Sequence, residues 1–272
     1  MDRESQFIIR TPEYLESFEP FRDATSINHI AGIIQSEIEQ KGSNLRCLDS
    51  MAGTGIVGRK MKELFQDLQI VYQDGGKKML SSDVYEDEER VLADSKALSI
   101  KPGVFDIIFC RGGLNNVSKE DYQKILAEYM RVLQDDGIGI VQDHFGATKR
   151  EKDVVNRIES AICDMEKRSD KTYVPTDEDL MDLIHETGGY VFDEQYFEKS
   201  FSLKDRFASK NINNPDMSAI KVILKNQSVI KYEETEDDII VTYPIVTICF
   251  KKQPRSAKTI RKDIGEVLSA DK

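Results

Sequence analysis

Apolar positions recur along this chain in two alternating rhythms, one helical and one of short buried runs. Between Thr25 and Gln40, Ile27, Ile30, Ala31, Ile34 and Ile38 fall at helical spacing. Lys41-Gly42-Ser43-Asn44 breaks that helix. Leu45 to Leu48 then reads as a buried strand, and Val57, Met61, Leu64 and Phe65 stripe the next helix. Ile70-Val71-Tyr72 and Arg90-Val91-Leu92 read as a second and third strand, and Phe105 to Phe109, after the turn Lys101-Pro102-Gly103, as a fourth. Ser118, with Asp121 three residues on, opens a helix whose inner face is Tyr122, Ile125, Leu126, Tyr129, Val132 and Leu133. Asp135-Asp136-Gly137 is expected to turn the chain into a fifth strand, Ile138 to Val141.

Two more helices follow, one striped by Val154, Val155, Ile158, Ile162 and Met165, the other started by Thr176 and Asp179 and stopped by Gly188-Gly189. Beyond them the rhythm changes. Tyr190 to Ser202 and Ile239 to Phe250 read as longer strands, joined by a polar, helix-prone stretch from Leu203 to Asn226. Five strand-helix alternations predict an α/β fold with a parallel sheet covered on both faces. Ligands of such sheets sit outside the carboxyl ends of the strands. The segments to watch are therefore Asp49 to Gly55, Asp74 to Gly76, Asp94-Ser95, Cys110 to Asn116, and Gln142 to Phe145.

The first of these carries the sharpest pattern, Asp49-Ser50-Met51-Ala52-Gly53-Thr54-Gly55. Missing side chains at Gly53 and Gly55 let backbone approach a ligand, and the N–H groups opening the next helix face polar or anionic atoms. Asp49 is a carboxylate at a strand end. Asp74, ending the next strand, offers two acceptor oxygens to the hydroxyls of a ribose.

Composition narrows the partners. Of 272 residues, 39% are hydrophobic and 32% charged, enough for a packed core and unlike a disordered chain. The net charge of −11 argues against a broad nucleic-acid groove. No apolar run approaches bilayer length, and the opening Met1-Asp2-Arg3-Glu4-Ser5 lacks the basic-then-apolar pattern of a signal peptide, so a cytoplasmic, non-membrane protein is expected. Cys47, Cys110, Cys163 and Cys249 lie far apart and form no C-x-x-C pair; they read as small buried hydrophobes, with no metal site indicated.

Taken together, these pieces resemble the class I S-adenosylmethionine-dependent methyltransferases of the small-molecule branch. Leu48 to Gly55 is similar to that family's first motif. Tyr72-Gln73-Asp74 with Lys78-Met79-Leu80, Val91 to Ser95, Phe105 to Ile108, and Arg131 to Gly137 are similar to its later segments, in the same order. The resemblance implies a Rossmann-like, mostly parallel seven-stranded sheet with an antiparallel last strand. It implies S-adenosyl-L-methionine as cofactor. Gly53 and Gly55, with Met51 and Asp49, would meet its methionine part, and Asp74 its ribose. Gly75 and Met79 would flank the adenine, Asp94 and Ser95 would meet the amine edge, and Cys110 and Arg111 would line it from the fourth strand. Two departures stand out: the family often has glycine where this chain has Met51, and Gly76 adds a second glycine after Asp74.

Gly53-Thr54-Gly55-Ile56-Val57-Gly58 also matches the dinucleotide G-x-G-x-x-G. However, Asp49 precedes the first glycine by four residues, and the last two strands fit a methyltransferase better. His144, past the fifth strand and beside Asp143, is the best-placed general base. Residues 1–24, with Tyr14, Phe18 and Phe21, are expected to form a lid over domain 25–252, and His29 and Asn115 to join them around the acceptor. The insertion 203–226, with Phe207 and Met217, is a second expected wall, and 253–272 a basic tail. The expected activity is in-line methyl transfer to an O, N or C atom of a small molecule, natural-product intermediates included, by a monomer or homodimer. The alternatives are a non-methylating step on the same fold, such as cyclisation, or methylation of a macromolecule.

Overall fold

The computed structural model describes residues 24–80, 88–166, 173–208, 212 and 215–253. The expected lid aromatics Tyr14, Phe18 and Phe21, and the tail from residue 254, lie outside the described residues. In chain order the elements are α1 (Ala24–Lys41), β1 (Arg46–Ser50), α2 (Ile56–Leu64), β2 (Gln69–Asp74), α3 (Lys77–Leu80), β3 (Glu89–Leu92) and β4 (Phe105–Arg111). After a single 3-10 turn at Leu114–Asn116 come α4 (Lys119–Val132), β5 (Leu133–His144), α5 (Lys149–Met165) and α6 (Asp177–Glu186). The chain then forms β6 (Gly189–Ser202), α7 (Leu203–Ala208), α8 (Ser218–Lys225), β7 (Lys231–Glu234) and β8 (Ile239–Lys252).

The strands build one eight-stranded sheet in the order β3-β2-β1-β4-β5-β8-β6, with β7 paired to β8. β1 to β5 pair in parallel, and β8 runs antiparallel between β5 and β6. The path has the seven strands expected, and the short β7 is an eighth beside it. β7 was missed because Lys231-Tyr232-Glu233-Glu234 is polar and largely exposed, so it shows no buried face to alternate.

The fifth strand also begins earlier than expected. Leu133 pairs with Phe105 and Ile138 with Ile107, so the exposed Asp135 and Asp136 bulge out within β5 rather than precede it. Gly137 sits where a Cβ would stand 3.0 Å from the carbonyl oxygens of Phe105 and Asp106. A side chain there would press on both carbonyls, so glycine suits the close approach of the two strands.

Alternation along each parallel strand feeds two cores. Leu48, Val71, Ile108 and Val141 pack against α4 and α6 through Tyr129 and Leu180. Cys47, Ile70, Ile107 and Ile140 pack on the other face against α1 and α2 through Ile34 and Met61. Helix α6 opens on the capping box of Thr176 and Asp179 that its sequence implied.

A third core is separate from the parallel sheet. It joins α5, α7 and α8 to the far end of β6 and the near end of β8 through Ile158, Phe207, Leu224, Phe201 and Tyr243. The strand register explains it. Residues 245–251 of β8 pair with β5, whereas residues 239–242 pair only with β6 and β7. The antiparallel strands thus overrun the carboxyl end of β5 and carry a cap of helices with them.

Candidate functional site

The turn after β1 is held open by its backbone. Met51, Gly53 and Gly55 have φ of 55°, 57° and 70°, all left-handed. Met51 thus keeps the conformation that a glycine would take more cheaply; a non-glycine residue there costs on the order of 1 kcal/mol. Its side chain packs on the loop after β4, where a Cβ on Gly113 would stand 2.6 Å from the Met51 sulfur.

Asp74 ties this turn to β2. Its Oδ2 accepts the Gly53 N–H at 2.9 Å and its Oδ1 accepts the Gly76 N–H at 2.7 Å. The main-chain N–H of Gly76, the second glycine after Asp74, thus serves that carboxylate. Gly75 and Met79 follow on the same half-buried edge.

Asp49 is only 3% exposed, and its Oδ2 accepts the Gly58 N–H at 3.0 Å. Burial raises its pKa to about 8, and the Asp74 charge adds to the rise; the Gly58 bond and Arg59 oppose it. A Cβ on Gly58 would meet the Tyr72 ring at 2.4 Å and the Asp49 carboxylate at 2.7 Å, so α2 lies directly on the end of β1.

The other expected contacts are spread more widely. Asp94 is exposed, accepts the Lys96 N–H at 3.0 Å and pairs with the Lys96 ammonium at 3.6 Å. Ser95 is buried and donates inward to Gln73 at 3.2 Å. Cys110 is buried, and loss of solvation pushes its thiol up to about 12, so it is a packing residue at ordinary pH. Arg111 is half-buried; its Nε donates to Gln142 at 2.7 Å and its Nη2 to Ser26 at 3.2 Å.

At the end of β5, the Asp143 carboxylate accepts the main-chain N–H groups of His144 at 2.8 Å and Asn115 at 3.0 Å. The His144 ring is half-buried and packs on Tyr243 (centroids 5.5 Å, edge-on) and Phe201 (6.1 Å). His144 pairs with Ile245, which pairs with Phe197, and the His29 ring lies 5.6 Å from Phe197. His29 Nε2 also stands 3.6 Å from Asp193. Both rings therefore lie on one face of the sheet, His144 on β5 and His29, from α1, over β6.

Gln73 was missed by the sequence reading, and Gln142 stood in a watched segment without a role. Gln73 and Gln142 are fully buried at the ends of β2 and β5. The available signal was an amide among apolar strand residues, directly before a watched segment for Gln73 and opening one for Gln142.

Residues 48–141 match a family model described as a methyltransferase domain. That segment, about a third of the chain, is similar to a methyltransferase domain, and the cofactor this similarity implies is S-adenosylmethionine. No curated protein matches it in sequence. Among solved structures it resembles the YcgJ protein of Bacillus subtilis, at 17% identity over 84% of this chain and 100% of that one, with a TM-score of 0.66. A protein of Bacillus halodurans C-125, proposed to be a methyltransferase, gives 15% identity over 86% and 100%, also at 0.66. The [4+2]-cyclase SpnF gives 14% over 78% and 76%, at 0.53. At these identities the likeness is one of fold.

The residues at this sheet edge fit that cofactor on their own observations. The left-handed turn aims main chain at the sheet edge, and Asp74 is fixed across the ends of β1 and β2. The Thr54 hydroxyl, inside the same turn, is buried without a hydrogen-bond partner among the described residues.

Proposed function

We propose that the protein methylates an O, N or C atom of a small molecule. When bound, S-adenosylmethionine supplies the methyl group and leaves as a neutral thioether. The turn from Met51 to Gly55 holds its methionine part beside Asp49, Asp74 holds the ribose, and Gly75, Met79, Asp94 and Ser95 border the adenine. Cys110 and Arg111 complete the wall after β4.

The observation that carries the small-molecule reading is the cap with its own core, built where β6 and β8 overrun β5. It stands beside His144 and is the natural wall of an acceptor pocket. The segment 203–226, which supplies α7 and α8, is part of that wall, and His29 and Asn115 face the same edge. His144 takes a proton from a hydroxyl or an acidic carbon; a neutral amine needs little such help. Alignment and exclusion of water account for the rest of the rate.

A second reading, a non-methylating step, is favoured only by the fold it shares with SpnF. The test is incubation with methyl-labelled cofactor and a panel of hydroxylated, amine and acidic-carbon small molecules, with RNA and protein as controls. Label in a small-molecule product supports the proposal. Conversion without label supports the cyclase-like reading, and label only in RNA or protein overturns the small-molecule assignment.

A further inference from the structure

The turns after β1 and β3 would touch opposite ends of one cofactor, yet they are far apart in sequence and contribute little to the apolar cores. One buried side chain between them joins both. Gln73 Oε1 accepts from the Ser50 hydroxyl at 2.7 Å, the Ser95 hydroxyl at 3.2 Å and the Met51 N–H at 3.3 Å. Its Nε2 donates to the Ala93 carbonyl at 2.7 Å.

The amide has one sense only. Reversed, it would aim N–H groups at the Met51 N–H and an oxygen at the Ala93 carbonyl, opposing like to like in a buried site. The hydroxyls are ordered too. Tyr129, from α4, donates to Ser50 at 2.8 Å, which directs the Ser50 proton at Gln73. The main chain repeats the pattern: Ala52 N–H donates to the Gln73 carbonyl at 2.9 Å, and Ala93 N–H to the Asp74 carbonyl at 3.1 Å.

We infer that Gln73 is a positioning residue that sets the β1 and β3 turns relative to each other for cofactor binding. It touches no reacting atom. An apolar side chain of the same length fills the space but leaves Ser50, Ser95 and the Ala93 carbonyl to find other partners, so the turns lose their common reference. This inference rests on the cofactor assignment above.

The test is calorimetric titration of the full-length protein with S-adenosylhomocysteine. Gln73→Met is expected to raise the dissociation constant roughly tenfold or more, the equivalent of about 1.4 kcal/mol or greater, at a temperature where circular dichroism shows it folded. Gln73→Glu distinguishes positioning from simple support. Its neutral acid can both accept from Ser50 and donate to Ala93, whereas its anion cannot donate. Its affinity relative to wild type should therefore recover as pH falls from 8 to 5.5. Should Gln73→Met not fold, this pH series decides the matter. A folded Gln73→Met with wild-type affinity overturns the inference, as does a Gln73→Glu deficit independent of pH. A wild-type protein that binds no S-adenosylhomocysteine overturns the cofactor assignment itself, and this inference with it.

Discussion

Replacing Asp49 by Asn tests whether the end of β1 carries a strained acid. The carboxyl is 3% exposed, has the Gly58 N–H as a bonded partner, and has its pKa raised from 3.8 to about 8, chiefly by burial. The sign follows from proton counting. Between these two values the folded protein holds a proton that the unfolded chain has released, so stability falls as pH rises from about 4 to about 8, then levels off. At about 1.4 kcal/mol per pH unit, the whole span corresponds to on the order of 5 kcal/mol.

Asn keeps an oxygen for Gly58 and cannot ionise. Its extra N–H groups impose a burial cost of roughly 1–3 kcal/mol, but that cost does not change with pH. The test is therefore the slope of the difference between the two proteins. Urea unfolding of both, at half-unit steps from pH 5 to pH 9, should show Asp49→Asn gaining on wild type by several kcal/mol across the window. The gain should flatten above about pH 8. A difference that stays constant from pH 5 to pH 9 would refute the reasoning, because Asp49 would then titrate alike in the folded and unfolded states.

Other substitutions probe the site and the cap. Asp74→Ala removes the acceptor shared by the Gly53 and Gly76 N–H groups. It should weaken S-adenosylhomocysteine binding roughly tenfold or more, with unchanged circular dichroism; calorimetry giving wild-type affinity would count against the site. Gly58→Ala drives a methyl group into Tyr72 and Asp49, and urea titration should show a loss of roughly 1–3 kcal/mol. In the cap, Arg206 clasps Glu159 through two bonds of 2.8 and 2.7 Å, both side chains being buried. Glu159→Gln alone should cost roughly 3–5 kcal/mol, and Glu159→Leu with Arg206→Met should recover most of it. An equal loss in the double variant would show that the pair is not a simple buried ion pair.

What was legible in the sequence was what hydrophobic burial dictates. β1, β2 and β4 are covered on both faces, so Cys47-Leu48, Ile70-Val71-Tyr72 and Ile107 to Cys110 stand out as apolar runs. The glycine turn showed because φ near +60° at Gly53 and Gly55 leaves a composition signature. Met51 hid the third left-handed position, because a side chain held there by packing on Gly113 looks like any core methionine. β7 and Gln134 to Asp136 near the start of β5 were illegible for the opposite reason: these residues are mostly exposed or half-buried, and backbone pairing defines the strands there. His29 and His144 were visible as candidates, but their common sheet face depends on a register between β5, β8 and β6 that local sequence does not encode.

The two buried glutamines show why such a site needs more than a core. Apolar packing is non-directional: it brings α1 and α4 onto the sheet but leaves loop ends free to settle in several ways. Gln73 fixes the turns on the α4 side. Gln142 lies on the α1 face with Ile140, donates to the Ser26 carbonyl at 2.9 Å and to Thr247 at 2.7 Å, and accepts from Arg111. Each amide spends its hydrogen bonds across elements distant in sequence, Gln142 reaching from β5 to α1 and β8. Because a buried amide left without partners costs about as much as a sizeable core truncation, few arrangements of those ends satisfy both residues. The polar positions that interrupt the apolar rhythm of β2 and β5 thus restrict the sheet edge to one geometry, and both interruptions fall next to residues assigned to the cofactor or the acceptor.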